Sequence, residues 1–220
     1  MRRAGVVLAA ALLGMMLSLS PTASRADEPS DAAAPRAAAP ADTAATTSSD
    51  ESCKPRLAEW SLRFAGGLNP ENVIQYYALH ATFGFPFWQS ADRWFSGHGM
   101  TARWEMEPWA AYVVDHHGIH QTASFEIGLS PLFGKILFGD WRLRPFIEGG
   151  EGIMYTDLRK QRFGTPINFS SQFGAGLEYE IRPGLDFTFA ARIRHMSNAG
   201  LASSNPGVNT YFGLVGLTFR

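Results

Sequence analysis

The stretch Leu185-Asp186-Phe187-Thr188-Phe189-Ala190-Ala191-Arg192-Ile193-Arg194-His195-Met196 alternates with a period of two. Its odd positions are Leu185, Phe187, Phe189, Ala191 and Ile193, all apolar. Its even positions are Asp186, Thr188, Ala190, Arg192 and Arg194. Successive side chains of a strand point to opposite faces, so this spacing predicts a β-strand with one apolar and one largely polar face. His195 continues the odd series, and so does Ser197 just beyond it. Both should project from the apolar face.

The same period recurs on either side. Trp60, Leu62 and Phe64 alternate with Ser61 and Arg63. Comparable runs cover roughly 75–85, 100–114, 120–132, 142–156, 167–181 and 210–219. Gly, Pro, Asn and Asp separate them, as turns require. Eight strands are predicted. Arg182-Pro183-Gly184 reads as a tight turn between the sixth and seventh, and 198–208 as the longer connection between the seventh and eighth.

The N-terminal residues read as a secretory signal over 1–26: Arg2 and Arg3 precede an apolar run over 6–17, and Ser24-Arg25-Ala26 offers a small-residue cleavage site before Asp27. The run is too short for a membrane helix. Residues 27–56 are rich in Ala, Pro, Ser and Thr and hold almost nothing large to bury, so they are expected to be a disordered leader. Cys53, the single cysteine, fits neither a disulfide framework nor a lipoprotein signal. The net charge of −1 becomes about −4 once Arg2, Arg3 and Arg25 are lost with the signal, which argues against a nucleic-acid partner.

Residues 57–220 are therefore read as one all-β domain. A soluble sandwich or lipocalin-like barrel is the alternative, but the export signal, the even strand count and a last strand ending in Phe219 favour an eight-stranded antiparallel transmembrane β-barrel of the outer-membrane type. Closure removes the sheet edges that hydrocarbon could not satisfy. Trp88, Trp94, Phe95, Trp104 and Trp109 are expected near strand ends, as interfacial rings. In such barrels the termini and the short turns face the periplasm, so His195 and Ser197 should lie near the outer rim, facing the bilayer.

A His and a Ser two apart on a strand share a face with Cβ atoms roughly 6–7 Å apart, close enough for an imidazole to activate a hydroxyl. Asn198 and the backbone N–H groups around Ala199-Gly200 are candidate donors for an oxyanion. The competing reading makes His195 and Ser197 ordinary interfacial polar residues.

The run Arg194-His195-Met196-Ser197-Asn198-Ala199-Gly200-Leu201, followed by Asn205-Pro206-Gly207-Val208-Asn209, resembles the lipid A 3-O-deacylase (acyloxyacyl hydrolase) family of bacterial outer-membrane barrels. The likeness extends more loosely to Pro145-Phe146-Ile147-Glu148-Gly149-Gly150 and Gly174-Ala175-Gly176-Leu177. It implies a serine esterase on the outer barrel wall that removes the 3-O-linked acyl chain of lipid A from lipopolysaccharide in the outer leaflet, without a metal or organic cofactor. Carried over by position, Ser197 is the nucleophile and His195 the general base, with Asn198 and the Gly200 N–H as oxyanion donors. Asn209 holds the third triad position, where the best-known family pattern has Glu. An Asn carbonyl can orient an imidazole but supplies no charge. Asp115 and Asp157 are candidate substitute carboxylates, and a non-catalytic structural or adhesive barrel is the alternative function.

Three other signals have bland readings. His116, His117 and His120 suit a solvated turn better than a metal site, and Gly149-Gly150-Glu151-Gly152 suits a tightly curved barrel wall better than a phosphate loop. Arg192 and Arg194 are expected to point inward and pair with acids such as Glu178 or Glu180.

Overall fold

The computed structural model describes residues 57–71, 74–117, 120–158, 163–203, 205 and 207–220, and excludes the side chains of residues 117, 120 and 121. The signal over 1–26 and the leader over 27–56 lie outside the described residues. The strands are β1 (Glu59–Asn69), β2 (Ile74–Pro86), β3 (Met100–His117), β4 (His120–Phe138), β5 (Leu143–Thr156), β6 (Ile167–Arg182), β7 (Leu185–Ser197) and β8 (Val208–Phe219). Each pairs antiparallel with the next, and β1 pairs with β8, with Trp60 opposite Phe219 and Leu68 opposite Tyr211. The sheet closes into an eight-stranded barrel without an edge.

Alternation decides what faces where. Phe187, Phe189 and Ile193 on β7 are exposed, whereas Asp186, Thr188, Arg192 and Arg194 are buried inside. The same holds for exposed Leu62 and Phe64 against buried Ser61 and Arg63 on β1. A wall apolar outside and charged inside suits lipid around the barrel and ion pairs within it.

Those pairs cross the lumen. Arg192 Nη2 donates to Glu148 at 2.6 Å and its Nη1 to Glu107 at 2.6 Å, while Arg63 Nη1 reaches the other Glu148 oxygen at 2.6 Å. Lys135 Nζ donates to Glu59 at 2.9 Å and also to Glu178. Arg194 pairs with Glu126 at 3.0 Å and its guanidinium lies about 5 Å from the Tyr76, Trp109 and Phe212 rings. Arg192 and Arg194 thus point inward as expected, but their acids come from β3, β4 and β5. Glu178 serves Lys135, Arg144 and Arg220 instead, and Glu180 offers Arg142 its backbone oxygen. Alternation assigns a face and leaves the partner across the lumen open.

Three further expectations need correction. The predicted fourth strand stopped near Leu132, yet β4 runs on to Phe138. Ser124, Glu126 and Ser130 face inward, then Phe133, Lys135 and Leu137 do, because the register against β5 shifts between Leu129 and Leu132 around Pro131. A bulge changes the parity, so a strict period-two reading loses the strand there. Second, the connection between β2 and β3, at the end that carries the termini, is no short turn but contains helix α1 (Gln89–Gly97), which His98 and Gly99 close by donating to the Phe95 and Ser96 carbonyls. Trp94 and Phe95 sit on α1, Trp88 just before it, and none is at a strand end. Third, Trp109 is buried inside the barrel rather than placed at an interface. Pro183-Gly184 does form the tight turn between β6 and β7, with Gly184 at a φ of 80°.

Candidate active site

The end of the barrel opposite the termini carries the β7–β8 connection, and the candidate site is built where β7 runs into it. His195 and Asn209 are direct cross-strand partners on β7 and β8. Both lie on the outward, exposed face. Their side chains meet: Nδ1 of His195 is 2.8 Å from Oδ1 of Asn209. A carbonyl oxygen only accepts, so Nδ1 is the donor in this contact. Asn209 is itself anchored, since its backbone oxygen accepts from Nδ2 of Asn69 on β1. Ser197, the last residue of β7, is half-buried and lies on the same face as His195, opposite Phe169 of β6.

Beyond Ser197 the chain turns sharply. Asn198 is buried, Ala199 has a φ of 52° and Gly200 a φ of 85°. Asn198 organises this turn: its Oδ1 accepts from the Gly200 N–H at 2.9 Å, its backbone oxygen from the Leu201 N–H at 3.0 Å, and its Nδ2 donates to the Phe163 carbonyl at 2.6 Å. Its own N–H donates to Oδ1 of Asn205 at 3.0 Å. The two residues predicted as oxyanion donors are therefore adjacent and bonded to each other, at the mouth of the barrel just past the nucleophile position.

Gly207, in the run that leads into β8, takes on a role that its place in the sequence does not reveal. Its φ is 69°, and a Cβ added there would lie 2.8 Å from Cε1 and 3.4 Å from Nε2 of His195. Its bare backbone lets the chain returning to β8 lie close against the imidazole. Pattern reasoning shows that a Gly is present, and only the folded loop shows what it touches.

The two substitute carboxylates do not join the site. Asp115 is buried on β3, opposite Ile74 of β2 and Thr122 of β4. Asp157 accepts from the Phe125 N–H of β4 at 2.7 Å. Neither strand region borders β7. Among the described residues, no group of three or more His, Cys, Asp and Glu side chains is arranged to hold a metal ion.

Comparison with known proteins gives a consistent relationship. A sequence profile of the lipid A 3-O-deacylase (PagL) family matches residues 75–218. The lipid A deacylase PagL of Pseudomonas aeruginosa (strain PAO1) is 30% identical over 115 residues, which are 51% of this chain and 61% of that protein. The alignment thus spans less than two thirds of that relative. The crystal structure of the outer-membrane enzyme PagL superposes with a TM-score of 0.57 at 20% identity, covering 71% of this chain and 97% of the other, a likeness of fold.

Proposed function

The chain belongs to the lipid A 3-O-deacylase family, and from that premise we propose that it hydrolyses the ester-linked acyl chain at the 3-position of lipid A, from within the outer leaflet of the bacterial outer membrane. The observation that carries this reading is the 2.8 Å contact of His195 Nδ1 with Asn209 Oδ1 on the outward wall, with Ser197 on the same face. Substrate then approaches sideways through lipid, and the ion-paired lumen takes no part.

In this reading Asn209 holds the imidazole with Nε2 free to accept the Ser197 proton. The serine oxygen attacks the ester carbonyl, the protonated imidazole returns the proton to the departing sugar oxygen, and water repeats the cycle on the acyl-enzyme. In this reading the Gly200 N–H is the oxyanion donor and Asn198 positions it, because the donors of Asn198 are engaged by the Phe163 carbonyl and by Asn205. The Gly200 N–H would exchange its bond to Asn198 Oδ1 for one to the oxyanion, whose charge makes it the better acceptor.

Ser197→Ala and His195→Ala should each abolish acyl release from lipid A, read as loss of the discrete mass change in the lipid, while the barrel keeps its heat-modifiable gel migration. Undiminished release by either variant would sink the assignment. Asn209 favours a second reading, a structural or adhesive barrel that has kept the framework without an effective triad. Lipid A of unchanged mass in cells making the intact protein would select that reading.

A further inference from the structure

His195 is one member of a row that crosses the barrel wall perpendicular to the strands. Asn209 pairs with His195, His195 with Ser171 of β6, and Ser171 with Glu151 of β5. All four belong to the outward-facing series of their strands. Ser171 Oγ donates to Glu151 Oε2 at 2.7 Å. Around this dyad the wall is apolar: Leu132 is the partner of Glu151 on β4, Ile153 follows it outward on β5, and Phe169 and Phe173 flank Ser171 on β6, all four exposed.

A carboxylate on a lipid-facing wall is unfavourable, and ionisable groups in such positions are kept for what they bind. Glu151 is not drawn into the lumen network, whose acids are inward-facing side chains such as Glu107, Glu126 and Glu148. Its cost is offset only in part by one neutral hydroxyl. With that hydroxyl donated, Glu151 Oε1 and the Ser171 lone pairs remain, so the dyad presents acceptors and no donor. Directly opposed side chains lie about 5 Å apart at Cβ and diagonal ones about 7–8 Å, which puts Ser171 beside His195 and within one sugar ring of Ser197.

We propose that Ser171 and Glu151 form a subsite that accepts a hydrogen bond from the acylated amino sugar whose ester lies at Ser197. This deepens the deacylase reading and rests on it. Two substrate groups have the required chemistry: the amide N–H on the sugar carbon next to the 3-O-ester, and a hydroxyl on the acyl chain. Either would fix the ester carbonyl along the row while the remaining chains lie over the apolar wall.

The test uses the full chain in detergent micelles and three synthetic monosaccharides. The first carries the 2-amide and a 3-O-hydroxyacyl chain, the second lacks the chain hydroxyl, and the third has an ester oxygen in place of the amide N–H. Glu151→Ala and Ser171→Ala are compared with the unaltered protein, with heat-modifiable migration checking the fold. Glu151→Ala should lower kcat/KM on the first substrate by roughly ten- to a hundredfold, as expected for a hydrogen bond to a charged group. Ser171→Ala should lower it less. One of the two donor-deleted substrates should erase the difference between Glu151→Ala and the unaltered protein, which also identifies the donor. Equal losses on all three substrates, or no loss on the first, would overturn the subsite while leaving the deacylase reading standing. Failure of the unaltered protein to release a 3-O-acyl chain from any of them would overturn both.

Discussion

At the residue scale the site turns on Asn209. Its amide oxygen lies against the imidazole, but in the proposed mechanism it adds no negative charge beside the imidazolium that attack would form. Asn209→Glu should therefore raise kcat for acyl release, on the order of tenfold, which is less than the ~10⁴ associated with losing charge and tautomer together. Asn209→Ala should lower it, and initial rates on lipid A in micelles separate the two. Gly207 makes a sharper case. Ala there meets both the positive φ and the imidazole 2.8 Å away, so the ring must swing off Asn209 or the loop must lift. Gly207→Ala should lower kcat while leaving the urea midpoint of the barrel almost unchanged, and a parallel loss of both would refute a local effect. His195, Ser197 and Asn209 are legible in the sequence because each sits on a strand whose parity can be counted. Gly207, Ser171 and Glu151 are not, since their relation to His195 exists only through loop return and cross-strand register.

At the element scale, parity is the information the strands carry, and its break in β4 is instructive. β7 keeps a single phase from Asp186 to Met196, so the face of His195 follows from Phe187 and Phe189 without any structure. β4 changes phase around Pro131, and there the readable pattern ended six residues before the strand did. Helix α1 escaped for a related reason: over 89–97 no period of two exists, and the segment is too short to announce a helix by its own periodicity. The outward face of β7 also makes a measurable demand. Phe189→Arg puts a cation on the lipid side near the middle of the strand and should cost about 2–4 kcal/mol in urea unfolding from phospholipid vesicles. Thr188 points inward and tests the parity: Thr188→Val, which removes its 2.8 Å bond to Thr218, should cost only about 1 kcal/mol. A reversed order of the two costs would mean the strand is turned the other way.

At the scale of the whole molecule, the ion-paired scaffold and the proposed site occupy opposite surfaces of one sheet. The lumen is held by charges that leave water in pairs, and Glu148 is central because one carboxylate serves both Arg63 and Arg192. An intact buried pair adds modest net stability, but removing one partner strands the other in a poor dielectric. Glu148→Ala leaves Arg192 its pair with Glu107 but leaves Arg63 only Glu105 at 4.0 Å, and should lower the unfolding free energy by about 3–5 kcal/mol. The outer wall should not register the loss. Glu148 faces away from the row that holds His195, so the variant, assayed well below its unfolding midpoint, should release acyl chains at an unchanged kcat per folded barrel. The measurement pairs urea titration with mass spectrometry of lipid A on the same preparation. A fall in kcat per folded molecule would mean that the lumen network reaches the outer face, and the separation of scaffold from chemistry would have to be abandoned.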